Sequence, residues 1–420
     1  MTTQIKQRIE QIQRGEVPEG YKKTKAGIMP LDWCAEKEYK AKDVFKSVTN
    51  KKHNGEFEIL SATQDKGVVP RSQIDIDIKY SEESVSGYKK VDQGDFVISL
   101  RSFQGGIEYS EYEGLVSPAY TILKPIVPIY DGYYKAYLKT VDYISRLNKG
   151  TYGIRDGKQI GFEDFGDMIL HYPPLSEQQK IAEILSAQDK LIALKEKLIE
   201  EKKRQKKALM QQLLTGKKRL PGCSGEWGKS KIKEVSMEVI TGSTPSKKDS
   251  ALWDGEFPWI TSQDFNGKYI NKSFVTLSSL GKEECRIVPA KSVLVTCIAS
   301  IGLNAITNIE CATNQQINAV VCASDQMAEY IYYYVEFQSE KMKRLAGKTA
   351  VPIISKSQFE NIFIIYPNDK IELQKIVEVL SVCDTEIELI QKDLDQEKQK
   401  KKALMQLLLT GIVRTAKEDT

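Results

Sequence analysis

The string KKALMQQLLTG at Lys206–Gly216 returns as KKALMQLLLTG at Lys401–Gly411, with ten of eleven positions agreeing across an offset of 195. The agreement extends upstream without a gap. Glu177–Gly216 and Glu372–Gly411 match at 22 of 40 positions, and QKIAEILS at Gln179 answers QKIVEVLS at Gln374. An internal repeat restricts the possible folds more than composition does, because each copy marks one recurring structural unit. Neither copy holds a Pro or an internal Gly, both are rich in Lys, Glu, Gln, Leu and Ile, and each stops at a Gly. That pattern predicts two helices of about 40 residues, roughly 60 Å long at 1.5 Å per residue. In the second copy Ile376, Leu380, Cys383, Ile387, Ile390 and Leu394 step by four and three alternately. The first carries Ile181, Ile184, Leu185, Leu191, Ile192, Leu198 and Ile199. Such heptad-like stripes mark a coiled-coil seam, and each helix is the obvious partner of the other.

The helices divide the rest of the chain. We read residues 1–32 as an N-terminal helix and linker, 33–174 and 227–368 as two globules, 175–216 and 369–411 as the helical spacers, 217–226 as a linker and 412–420 as a tail. The flanks echo each other: YKKTKAGIMPLDW leads into the first globule and GKKRLPGCSGEW into the second. Inside the globules β-rich segments dominate, among them GDFVISL at Gly94, YTILKPIV at Tyr120, SVLVTCI at Ser292 and INAVVCA at Ile317. The expected fold class is therefore α+β: two globular β-rich domains joined by two long antiparallel coiled-coil-like helices, with pseudo-twofold character. Ile5, Ile9 and Ile12 share one face of the N-terminal segment, which is expected to lie beside the C-terminal end.

Several function classes lose their material at this point. The seven cysteines are scattered without a CxxC pair, so neither zinc ligation nor a disulfide framework is indicated. Only His53 and His171 are available for imidazole chemistry. AGKT at Ala346–Thr349 imitates a phosphate-binding loop, but Met342 stands where that loop needs its first Gly. IDIDIKY (74–80) offers Asp75, Asp77 and Lys79, loosely like a nuclease's set, yet its alternation reads as an exposed strand. The N-terminus is charged throughout and no apolar run approaches about 20 residues, so a cytoplasmic protein is expected. A net charge of +4 permits a nucleic-acid partner without arguing for one.

The plan resembles the specificity subunit of type I restriction–modification systems across essentially the whole chain. The resemblance is carried by PPLSEQQKIAEILS and KKALMQQLLTG, by TGSTPSKKDSALWDGEFPWITSQDF from Thr241, and by the GDFVIS and SVLVTC strands. The second helix departs from the family wording, opening PNDKIELQ. The resemblance implies two target-recognition domains, each reading half of a split DNA sequence, with the helices as spacer. It implies two methyltransferase subunits as partners, with S-adenosylmethionine bound there and no cofactor on this chain, and motor–nuclease subunits where restriction occurs. The chain itself would be a non-catalytic subunit.

The residues support this reading independently. Two globules on a rigid helix pair suit two half-sites at fixed separation. Base reading needs Arg, Asn, Gln or Lys on loops, because bidentate pairing to a purine requires a fork or an amide. The candidates in the first globule are Arg71, Arg101, Gln104, Tyr152, Arg155 and Lys158. Those in the second are Ser243, Thr244, Asn304, Asn314, Gln315, Lys348, Thr349 and Lys356. The bland alternative for each is a turn or a solvated surface. Basic residues outnumber acidic ones ten to three over Lys195–Arg219, which suits phosphate contact or an ordinary solvated helix face. Leu209, Met210, Leu213 and Leu214, with Leu404, Met405 and Leu408, are candidate docking residues for two copies of one partner. Two other readings remain open: a helical scaffold or adaptor binding proteins only, and a nuclease-like DNA-processing protein.

Overall fold

The computed structural model describes residues 3–74, 85–150, 160–347 and 351–415. Its helices of seven residues or more are α1 (Thr3–Gln13), α2 (Asp131–Tyr137), α3 (Val141–Gly150), α4 (Leu175–Leu213), α5 (Asp325–Leu345) and α6 (Lys370–Leu408). The two repeats are thus continuous helices of 39 residues each. The atypical start of α6 is capped by Asp369, whose Oδ1 accepts from the Ile371 amide at 2.9 Å. The chain divides into two units, Met1–Leu194 with Asp393–Thr420, and Lys195–Lys392. Each unit therefore owns one globule, the nearer half of one long helix and the farther half of the other.

In the first unit an antiparallel four-stranded sheet runs in the order Phe45–Val48, Thr121–Pro125, Phe96–Ile98, Glu108–Tyr109. Its core packs Phe45 and Phe96 against Tyr133, Tyr134 and Tyr137 of α2. Ile181 and Leu185 from the start of α4 complete that core, together with Leu408 and Leu409 from the end of α6. The second unit holds a five-stranded sheet ordered Glu238–Thr241, Ile317–Val321, Val293–Thr296, Asn304–Thr307, Tyr269–Ile270. Beside it lies a three-stranded sheet of Val275–Leu277, Trp253–Ile260 and Ala312–Thr313. The second unit's largest core joins Tyr330 and Tyr333 of α5 to Leu373, Ile376 and Leu380 of α6 and to Met210, Leu213 and Leu214 of α4.

The two units use the same latch. Offset by 195, Glu177 corresponds to Glu372 and Arg219 to Arg414. In the first unit Arg414 donates from Nε and Nη2 to the two oxygens of Glu177, each at 2.8 Å. In the second, Arg219 makes the equivalent fork to Glu372, both bonds at 2.6 Å. Each carboxylate is buried at a helix start, and each guanidinium sits over a Trp, Trp33 or Trp227. A second pair obeys the same exchange: Lys401 meets Asp189 at 2.5 Å, and Lys206 meets Asp384 at 2.6 Å. In both units, then, the end of one copy closes on the start of the other, which requires antiparallel helices. The terminal glycines take left-handed φ values of 69° at Gly216 and 73° at Gly411 and pack on the same two tryptophans.

The N-terminal segment lies beside the C-terminal one, as its apolar face suggested. Arg8 donates to the Ile412 carbonyl at 3.3 Å and the Tyr21 hydroxyl to the Gly411 carbonyl at 2.7 Å. The apolar stripe of α4 needs correction. Ile181, Leu185 and Ile199 are buried with Gln188 among them, whereas Ile184, Leu191 and Leu198 are exposed. The expected stripe had merged two faces of one helix, because neighbouring apolar positions satisfy both.

Candidate functional site

In the second unit four loop candidates converge. Gly242 brings the loop TGSTPS against ATNQQIN so closely that a Cβ there would lie 2.2 Å from Thr313 Oγ1 and 2.3 Å from the Asn314 carbonyl. Only glycine fits such an approach. The Ser243 amide then donates to the Thr313 carbonyl at 2.8 Å, and the Thr244 hydroxyl donates to Gln315 Oε1. Asn314 folds its own turn, its Oδ1 accepting from the Gln316 amide at 3.1 Å. Trp259 is buried behind them, its indole N–H donating to the Ser243 carbonyl at 3.1 Å.

Together these segments enclose a cleft of about 430 Å³. Its polar lining comes from Thr244, Asn314 and Gln315, joined by Gln263, Gln316 and Lys247, and no Asp or Glu is among its lining residues. Carboxamides present a donor and an acceptor side by side, the pattern that matches adenine's major-groove edge. A lysine in a cleft that no carboxylate lines suits a phosphate. Sequence reading missed Gln263, Gln316 and Lys247. Gln316 lies within ATNQQIN beside Gln315, Lys247 directly follows TGSTPS, and Gln263 lies inside WITSQDF, among the residues that carry the family resemblance.

The other candidates are dispersed. Asn304 opens the strand Asn304–Thr307 and donates from Nδ2 to the Tyr332 carbonyl at 2.8 Å, a structural role. Lys356 pairs with Glu360 along a one-turn helix. In the first unit Arg101 and Gln104 are both exposed, at the start and within the one-turn helix Ser102–Gly105. Gln104 Oε1 accepts from Gln64 Nε2 at 3.5 Å, so the loops SATQDKG and LRSFQGG meet. Arg71 is half-buried, and its Nε donates to Ser61 Oγ at 3.1 Å. Tyr152, Arg155, Lys158, Lys348 and Thr349 lie outside the described residues, as do Asp75, Asp77 and Lys79.

The docking candidates require a correction. Met210, Leu213 and Leu214 are buried in the second unit's own core, with Leu209 packed against it. Leu408 is buried in the first unit's core, with Leu404 and Met405 packed against it. The repeated Leu and Met positions already have an intramolecular partner in both units. The similar wording reflects two equivalent helix seats.

A fold of two sheet-containing globules, each completed by halves of two exchanged long helices, with an amide-lined cleft at loop ends, defines a two-module recognition protein. The family model for the type I restriction modification DNA specificity domain matches twice, at residues 35–204 and 224–398. The chain therefore belongs to this family and is a type I restriction–modification specificity subunit. It is 25% identical to the putative MjaX specificity subunit of Methanocaldococcus jannaschii, over 94% of this chain and 97% of that one. A stronger but shorter match, 35% identity to the MjaIX specificity subunit of the same organism, spans 39% of each chain. Among solved structures, a chain from a type I restriction–modification complex aligns with a TM-score of 0.59 at 15% identity, covering 95% of this chain and all of that one. The type I restriction–modification S subunit from M. genitalium aligns with a TM-score of 0.52 at 12% identity, covering 88% of this chain and 94% of that one. At such identities these two neighbours speak for the fold. Among the described residues no helix is long and apolar enough to cross a membrane.

Proposed function

We propose that this chain reads a split DNA sequence, the first globule one half and the second globule the other, while α4 and α6 set the number of base pairs between them. The supporting observation is the pairing of a repeated frame with unlike reading loops. Glu177–Arg414 and Glu372–Arg219 repeat one latch, yet the candidate reading residues differ: Arg101 and Gln104 among those of the first globule, Thr244, Asn314 and Gln315 among those of the second. Two unlike readers on one repeated frame suit two unequal half-sites. In this reading the chain is non-catalytic and works with two methyltransferase subunits, which hold S-adenosylmethionine, and with motor–nuclease subunits where restriction occurs.

Docking of one partner twice calls for repeat-related surface that the cores leave uncovered. Leu194 and Leu389 are 195 apart and are 65% and 62% exposed. Mapping methylated positions in the host genome tests the assignment. A split motif with unequal halves is expected, and a continuous palindrome would count heavily against it. Deleting one heptad from both α4 and α6 should shorten the permitted spacer or prevent assembly. Unchanged spacing with intact activity would remove the spacer role.

A further inference from the structure

The cleft in the second unit has a neighbour that the DNA-reading assignment does not use. Phe274 is 72% exposed, the highest value among the described aromatic rings, although burying a Phe ordinarily stabilises a fold. It is not on a slack loop. Its amide donates to Asp264 Oδ1 at 2.8 Å, Ser273 Oγ donates to the Val275 carbonyl at 2.7 Å, and Asn308 Nδ2 donates to Asn271 Oδ1 at 2.9 Å. Asp264 is buried, and its other oxygen accepts from the Thr261 amide at 2.7 Å and the Thr261 hydroxyl at 3.1 Å. That fixes the turn carrying Gln263, whose backbone is pinned by Thr261 and Asn266. The Gln263 carboxamide itself has no hydrogen-bond partner among the described residues and lines the cleft. One buried carboxylate therefore anchors the two backbone segments that carry an unpartnered carboxamide and an exposed ring.

We propose that Gln263 and Phe274 are a specificity-determining pair: the Gln263 carboxamide reads an adenine edge in the major groove, and the Phe274 ring covers the methyl group of a neighbouring thymine. The pair deepens the DNA-reading assignment and rests on it. A carboxamide matches adenine N6 and N7 bidentately, and in the same groove thymine offers an apolar methyl that an aromatic ring can cover. The minor groove offers neither feature. A ring carried on backbone that is anchored before binding costs less to order on contact than one on a free loop.

Atom-level changes in the DNA supply the test, using the full chain assembled with its methyltransferase subunits and the mapped target. In the wild type, 7-deazaadenine at one position of the second half-site should weaken binding roughly five- to a hundredfold. Deoxyuridine for one thymine should weaken it about three- to fourfold, the value of a buried methyl. Gln263→Ala should become indifferent to 7-deazaadenine while still sensing deoxyuridine, and Phe274→Ala the reverse. Both should keep wild-type discrimination at the first half-site, which reports that the variants fold. A second half-site without an A·T pair, or variants that retain both sensitivities, would overturn the pair. Wild-type complex without sequence-selective binding would instead bring down the DNA-reading assignment itself.

Discussion

Replacing Arg414 by Met tests the latch that joins the two ends of the first unit. Glu177 is buried, and its carboxylate accepts four hydrogen bonds: two from Arg414, one from the Trp33 indole at 2.9 Å and one from the Thr415 amide at 3.3 Å. Arg414 also forks onto Asp32, at 3.0 and 2.6 Å. Removing the guanidinium leaves a buried carboxylate with two neutral donors and no counter-charge. Breaking a fully buried pair in this way costs about 3–5 kcal/mol. The Arg414 side chain keeps 17% of its exposure, so water reaches the gap and about 2–3 kcal/mol is the better expectation. Adding Glu177→Gln should restore much of the loss, since a neutral amide is cheaper to bury and still accepts from Trp33. Hydrogen exchange resolved by segment is the suitable assay, because a chain of two units need not unfold in one step. Protection should fall over Tyr21–Trp33 and over the end of α6 together. A change below about 0.5 kcal/mol, or a double variant less stable than Arg414→Met alone, would refute the reasoning. Arg219→Met should act in the same direction on the second unit.

Gly411→Ala should destabilise the first unit more than Gly216→Ala does the second, as read by thermal denaturation. Both add about 1–2 kcal/mol of left-handed strain, but only the Gly411 Cβ would lie within 2.6 Å of Pro30 Cδ, against 3.3 Å from Trp227 for Gly216. Gly242→Ala should weaken discrimination at the second half-site and spare the first, since its Cβ overlaps the Thr313 and Asn314 oxygens that shape the cleft. Equal loss at both half-sites in a binding assay would contradict this. Burial depresses the pKa of His171 to about 4, below the unfolded value near 6.5. The unfolded chain therefore binds the extra proton first, and stability present above about pH 6.5 is lost as the pH falls towards 4, by up to about 3 kcal/mol. Asp95, which burial raises to about 6, acts in the opposite sense, so the difference between wild type and His171→Gln isolates the histidine. Parallel stability–pH curves for the two proteins would exclude that role.

Much of the architecture was legible because it rests on local patterns. Forty residues without Pro or an internal Gly, ending in Gly, can hardly be anything but a helix, and their repetition by itself implies two units. Asn314 and Gln315 were legible as candidates because loop amides are scarce and chemically distinctive. Ile184, Leu191 and Leu198 were misplaced because a 3.6-residue period does not say which of two adjacent apolar faces meets a neighbour. Gln263 was passed over because nothing local separates a reading glutamine from a solvated one.

By itself the sequence determined two long helices, two β-rich globules and their alternating order, since propensity, periodicity and helix stops act over a few residues. Only the tertiary structure decided that the end of each copy seats in the core beside the start of the other, through contacts such as Arg414 with Glu177 that span 237 residues. It alone showed that the repeated Leu and Met positions pack into the cores of the two units rather than standing free as a docking surface. An apolar helix face looks the same in sequence whether its partner belongs to another chain or lies two hundred residues away in its own.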